Sequence, residues 1–271
     1  MSTAILEVKE LCGGYTGKPV IDGVSCAIEK GDFTGIIGPN GSGKTTLLKL
    51  LTRVLNPYSG SILLEGTQIC AIPLKEFCRR VAFVPQDTMI NFPFTAQDIV
   101  LLGRTPHLRR LQQESARDFT ACRIAMELTD TLGLKDKRVD ELSSGERQRI
   151  VIAKALAQEP ALLLLDEPTS HLDIGHQIQI LDMLKDLNRQ QHLTIAMVLH
   201  DLNLASEYCN KIILLDKGSL YRQGTPQEVL TYDTIESVYH TVVVVSDNPI
   251  NAKPFVILVS KEAKKCAEKS T

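Results

Sequence analysis

The sequence predicts an α/β fold, and three observations predict it. The stretch Gly38-Pro39-Asn40-Gly41-Ser42-Gly43-Lys44-Thr45 matches G-x-x-x-x-G-K-[ST]. An apolar strand pattern, Phe33-Thr34-Gly35-Ile36-Ile37, precedes it, and a helical one, Thr46-Leu47-Leu48-Lys49-Leu50-Leu51, follows. A second apolar run, Ala161-Leu162-Leu163-Leu164-Leu165, reads as a fully buried strand and ends in two carboxylates, Asp166 and Glu167. Between residue 87 and about residue 158 strand patterns give way to helical ones, which reads as a helical insert in an α/β core.

The glycine-rich stretch is a phosphate-binding loop by its chemistry. Its three glycines let successive N–H groups point inward as an anion cradle. The following helix adds the positive end of its dipole, about half an elementary charge. Lys44 then reaches the β- and γ-phosphates of a nucleotide, and the Thr45 hydroxyl holds Mg²⁺. The plain alternative is a glycine turn with no ligand.

Composition narrows the field. The 271 residues are 44% apolar and 23% charged, ordinary for a soluble chain with a substantial core. The net charge of -2 argues against a general nucleic-acid binder. No basic segment followed by an apolar one opens the chain, so no signal peptide is expected, and no apolar run is long enough to span a bilayer. The seven cysteines, at 12, 26, 70, 78, 122, 209 and 266, form no C-x-x-C and suit free thiols in a reducing compartment. Any role at a membrane therefore comes through a partner.

Taken in order, residues 4–9 and 20–28 read as strands, with Gly13-Gly14-Tyr15-Thr16-Gly17 as the turn between them. Tyr15 in that turn either stacks on a base or packs at a strand end, and the local pattern favours packing. Ser61-Ile62-Leu63-Leu64 and Val81-Ala82-Phe83-Val84 are further strands, the second followed by Pro85-Gln86. A polar amide just past a strand's carboxyl end is where α/β sheets place ligand contacts. In the insert, helices are expected at 98–102 and at 114–132, the second with Phe119, Cys122, Ala125, Met126 and Thr129 on its apolar face. Leu142-Ser143-Ser144-Gly145-Glu146 opens another helix, Ser143 and Glu146 forming a capping box. That start is either a capped helix only or a phosphate site.

Asp166 is placed to hold Mg²⁺ through water, and Glu167 to orient or deprotonate an attacking water. A solvated strand end is the plain alternative. Asp173 caps a helix that runs to residue 188. Leu193-Thr194-Ile195-Ala196-Met197-Val198-Leu199 is a buried strand that ends at His200, on the same sheet edge as Gln86 and Asp166. The other five histidines lack metal-ligand spacing and read as structural. A hairpin around Lys217-Gly218, a short helix from Thr225 and two strands around Asn248-Pro249 follow, then a lysine-rich solvated tail.

In that order and spacing, the glycine loop, Gln86, the segment 142–146, Asp166-Glu167, the segment 170–173 and His200 resemble an ATP-binding cassette (ABC) ATPase over nearly the whole chain. Gly103-Arg104-Thr105-Pro106-His107 and His200-Asp201-Leu202-Asn203-Leu204-Ala205 resemble the ATPases of ferric siderophore, haem and vitamin B12 importers. The resemblance implies a P-loop NTPase (RecA-like) core with an N-terminal antiparallel β subdomain, over residues 1–86 and 159–271, and an inserted α-helical subdomain over 87–158. It implies ATP and Mg²⁺ as ligands, the nucleotide held by Gly38, Pro39, Asn40, Gly41, Ser42, Gly43, Lys44, Thr45 and Thr46, with Tyr15 stacked on adenine. Gln86 would contact Mg²⁺ or the attacking water, alongside Thr45 and Asp166, and His200 the γ-phosphate. Ser143, Ser144 and Gly145 would bind the γ-phosphate of the other subunit in a head-to-tail homodimer, and Asp173 would link the two sites.

The same resemblance implies integral membrane permease partners, an extracytoplasmic solute-binding protein acting indirectly, and a peripheral place on the cytoplasmic face of the inner membrane. Nucleic acid is not expected. Three positions depart from the commonest pattern. Ser144 stands where glycine is usual, Glu146 where glutamine is usual and His171 where alanine is usual. Two other readings share the motifs: a soluble ATPase serving a cytosolic assembly such as iron–sulfur machinery, and a nucleotide-dependent clamp.

Overall fold

The computed structural model describes residues 4–86, 93–170 and 172–260. His171 and the lysine-rich end lie outside the described residues. Strands β1 (Ala4–Tyr15) and β2 (Lys18–Glu29) form a long antiparallel hairpin. Both strands run through the expected turn, which shrinks to Thr16 and Gly17. Gly14 serves strand approach instead, since a Cβ there would lie 2.2 Å from Lys18 O. Next come β3 (Phe33–Ile37), α1 (Lys44–Leu51), β4 (Ser59–Leu64) and β5 (Thr67–Gln68). Sheet order β2-β1-β4-β5 makes an antiparallel layer.

The chain continues through α2 (Leu74–Arg80) and β6 (Val81–Val84) into three helices, α3 (Ala96–Leu101), α4 (Ala116–Leu128) and α5 (Ser144–Leu156). It returns by β7 (Leu162–Leu165), α6 (Ile174–Gln191), β8 (Thr194–Val198), α7 (Leu202–Tyr208), β9 (Lys211–Asp216) and β10 (Ser219–Gly224). Helices α8 (Pro226–Val229) and α9 (Tyr232–Tyr239) and a hairpin, β11 (Val243–Asp247) with β12 (Pro254–Leu258), complete the described chain.

The second sheet has the order β10-β9-β3-β8-β7-β6, parallel except for the edge strand β10. Its central strands are buried on both faces, which is why they read as unbroken apolar runs. Alternate residues serve two cores. Ile36, Leu164 and Val198 face α1 and the antiparallel sheet, whereas Ile37, Leu163 and Met197 face α3 to α7 and α9. Each fully buried leucine contributes about 2 kcal/mol by transfer from water.

Helices α3, α4 and α5 pack on one another and α5 packs on β6. On α4 the expected face is right at Cys122, Ala125, Met126 and Thr129, which are buried, and wrong at Phe119, which is 45% exposed. Asp118 occupies that place on the buried stripe. It accepts from Arg104 Nε at 3.0 Å and from the Ser115 hydroxyl at 2.6 Å. The Arg104 guanidinium, 1% exposed, also reaches Ala157 O at 2.6 Å and Glu159 at 2.8 Å. Thus Arg104 joins the segment after α3 to α4 and to the end of α5.

Candidate functional site: a phosphate cradle at the sheet edge

The cradle sits at the carboxyl end of β3, between β8 and β9, where the connections diverge. Two glycines are there for stated reasons. Gly38 has φ 149°, and a Cβ on it would lie 2.2 Å from Leu215 O. Gly43 has φ 98°, with Ile21 Cδ1 2.7 Å from its would-be Cβ. Lys44, 6% exposed, curls back so that its Nζ donates to Gly38 O and Pro39 O, both at 2.9 Å. Burial lowers the pKa of its ammonium, and the nearby Glu167 and Asp166 charges oppose that.

Thr45 of the loop and four side chains beyond it, Asp166, Glu167, Gln86 and His200, come together here. Thr45 Oγ1 donates to Asp166 Oδ1 at 3.2 Å. Asp166 is buried, and desolvation raises its carboxyl above the usual range despite the Thr45 bond; the adjacent Glu167 charge pushes the same way. Glu167 is held in the left-handed region at φ 50°, uncommon for a non-glycine residue at a strand end. Its Oε2 accepts from Gln86 Nε2 at 2.7 Å, and its Oε1 pairs with His200 Nε2. A cleft of about 200 Å³ opens here, lined by Asn40, Lys44, Thr45, Thr46, Glu167 and His200 among others.

Val20 of β2 also lines the cleft, a place that sequence patterns do not reveal, because a strand valine reads as core. The residues fit the groups they are expected to hold. Ser42 Oγ is buried inside the loop without a hydrogen-bond partner among the described residues. The hydroxyl of Thr45 and the carboxylate of Asp166 converge as hard oxygen donors, the set Mg²⁺ prefers.

The remaining expected site residues stand apart from this cluster. Tyr15 is exposed at the end of β1, its hydroxyl 3.1 Å from Lys49 Nζ of α1. The capping box at the start of α5 is formed on both sides: Glu146 N donates to Ser143 Oγ at 3.3 Å and Ser143 N donates to Glu146 Oε2 at 2.9 Å. The Ser143 hydroxyl donates to the same carboxylate at 2.9 Å. These bonds, the Ser143 backbone one first, hold Glu146 below its ordinary pKa. Ser144 is exposed and Gly145 buried, and none of these three residues lines the cleft of its own chain. Asp173 caps α6 by accepting from His176 N at 2.9 Å.

A triphosphate cradle on a parallel sheet, with one acid beside a threonine hydroxyl and the next beside an amide and an imidazole, defines a P-loop ATPase. Residues 21–170 match the family model described as ABC transporter. The ferric enterobactin transport ATP-binding protein FepC of Escherichia coli K12 is 40% identical over 262 residues, 97% of each chain. The cobalamin import ATP-binding protein BtuD of Halobacterium salinarum R1 is 37% identical over 90% of this chain and 61% of its own. An ABC transporter solved in an inward-facing conformation superposes with a TM-score of 0.84 at 29% identity, over 96% of this chain and 99% of that one. The chain belongs to the ABC transporter family, as an ATP-hydrolysing subunit. Among the described residues no helix is long and apolar enough to cross a membrane.

Proposed function

We propose that this chain powers the import of an iron chelate, haem, cobalamin or a related metal-containing solute through a membrane permease. It would work as a peripheral homodimer on the cytoplasmic face of the inner membrane, with a solute-binding protein delivering cargo to the permease from outside. The names of the FepC and BtuD relatives support the solute class, and they do not favour a cytosolic assembly ATPase. The observation that carries the chemistry is Glu167, gripped by Gln86 and His200 one residue after the buried Asp166.

Each residue then has a task. The cradle from Gly38 to Thr46 surrounds the phosphates, and Lys44 neutralises them. Tyr15 stacks on adenine. Thr45, Gln86 and Asp166 hold Mg²⁺, which offsets phosphate charge when bound. Glu167 takes the proton of the attacking water, and His200 contacts the γ-phosphate. The start of α5, with Ser143, Ser144 and Gly145, meets the γ-phosphate on the partner chain, where the helix dipole favours an anion. The Glu146 charge, already bound by Ser143, weighs less on that phosphate than its formal sign suggests. Asp173 links the two sites. ATP thereby holds two chains together, and loss of phosphate releases them.

For the permease we take the apolar groove of about 600 Å³ between α2 and the segment after α3. Leu74, Cys78 and Leu108 wall it, and Lys75, Arg109 and Arg110 give it a basic rim suited to an apolar helix bearing carboxylates. The groove lies where the inserted subdomain, taken as 87–158, meets the core. The direct test is ATP turnover by Glu167→Gln protein, expected to fall about a hundredfold or more with nucleotide binding kept. Turnover equal to wild type rejects the assigned base.

A further inference from the structure

The proposed two-chain contact uses two separate parts of this chain, the start of α5 and Asp173. His176, in the first turn of α6, touches both. Its Nδ1 lies 2.9 Å from Asp173 Oδ2, while its backbone N–H donates to Asp173 Oδ1. Asp173 is held below the usual carboxylate range, first by that backbone bond and then by the ring, so the carboxylate accepts and Nδ1 carries the proton.

The other edge of the ring lies over Gly145. A Cβ on Gly145 would stand 2.6 Å from His176 Cδ2, 3.1 Å from Cγ and 3.3 Å from Nε2. Gly145 is helical, and its backbone would accept any L-residue. The imidazole alone stands where a side chain there would go, and admitting one would swing the ring off Asp173. Neither helix needs the ring for its own cap. Ser143 and Glu146 close the start of α5, and the backbone N–H at 176 suffices for Asp173 on α6.

We infer that His176 is a positioning residue that locks Asp173 to the phosphate-facing turn of α5. This rests on the two-chain site proposed above. When a partner chain engages Asp173, the ring follows the carboxylate and carries Gly145, and with it Ser143, into place. The two halves of the contact then form together. Without the ring both helices fold, but their relative setting is lost.

Two measurements on the full chain test this. The first is a stability cycle. Gly145→Ala should lower the melting temperature by about 3 °C or more in the presence of His176, and by much less in a His176→Ala background. An equal loss in both backgrounds overturns the ring contact. The second is ATP-dependent dimerisation in Glu167→Gln protein, followed by sedimentation. Adding His176→Ala should weaken it about tenfold, with ATP binding to the single chain unchanged. His176→Gln, which keeps bulk and a donor for Asp173, should restore most of it. Unchanged dimerisation in the His176→Ala protein overturns the locking role. If the Glu167→Gln parent itself stays monomeric beside its permease, the two-chain reading fails and the locking role fails with it. The stability cycle still reports on the ring.

Discussion

Asp166 and Glu167 are adjacent carboxylates with different surroundings. Asp166 is buried and its pKa is raised, mainly by lost hydration, so at neutral pH its ionised form destabilises the fold. The sign follows from linkage. A carboxyl with a raised folded pKa binds its proton more tightly when folded, so its cost appears as pH rises above the ordinary value of 3.8. Asp166→Asn should therefore raise the melting temperature at neutral pH, and the gain should vanish in acid. Turnover should fall in the same variant, the trade expected where a site is strained for function. Melting curves across pH, beside an ATPase assay, check both. An Asn variant no more stable than wild type at neutral pH would show that Lys44 and Thr45 already compensate the charge.

Among the elements, the helical insert separates what sequence patterns carry from what they do not. The capping box of α5 was legible because Ser143 and Glu146 stand at the spacing the bonds require. The register of α4 was legible at Cys122, Ala125 and Met126 and failed at Phe119. Periodicity ranks residues by polarity, and a buried Asp118 is invisible until its partner Arg104 is known. Gly13 and Gly14 misled for a related reason, since a glycine that makes room for a neighbour, Leu50 of α1 at Gly13 and strand β2 at Gly14, looks like one that turns. Helices α2, α7 and α9 span seven or eight residues each, too short for a period to stand out. Asp118 carries its own prediction. Bonds from Ser115 and then Arg104 hold its pKa at about 2, so it stabilises the fold at neutral pH and ceases to as pH falls from 3.8 to about 2. Asp118→Asn should cost about 3 kcal/mol at neutral pH by leaving Arg104 short of a partner. Its denaturation midpoint should also change less than wild type over that acid range.

For the whole molecule, the convergence of Gln86, Asp166, Glu167 and His200 was legible because each follows a buried strand, and buried strands announce themselves. Gln86 follows β6, Asp166 and Glu167 follow β7, and His200 comes soon after β8. The surfaces proposed to meet other chains are different, because nothing within one chain selects them. The basic-rimmed groove joins α2 to a segment beyond α3; Thr105 and Pro106 in its lining belong to a segment the sequence singled out, but its pairing with α2 had no sequence signature. Leu108→Glu, which places a charge in its wall, should abolish copurification with the permease while the isolated chain still binds ATP. Retained copurification would move the docking surface elsewhere. One detail of the chain bears on direction. Glu167 has one oxygen contacted by Gln86 and the other by His200, and each oxygen keeps a further lone pair, so a water can dock only from the sides that amide and imidazole leave open. On the role proposed for Glu167, its two neighbours act as a jig that sets the angle of approach before any second copy arrives.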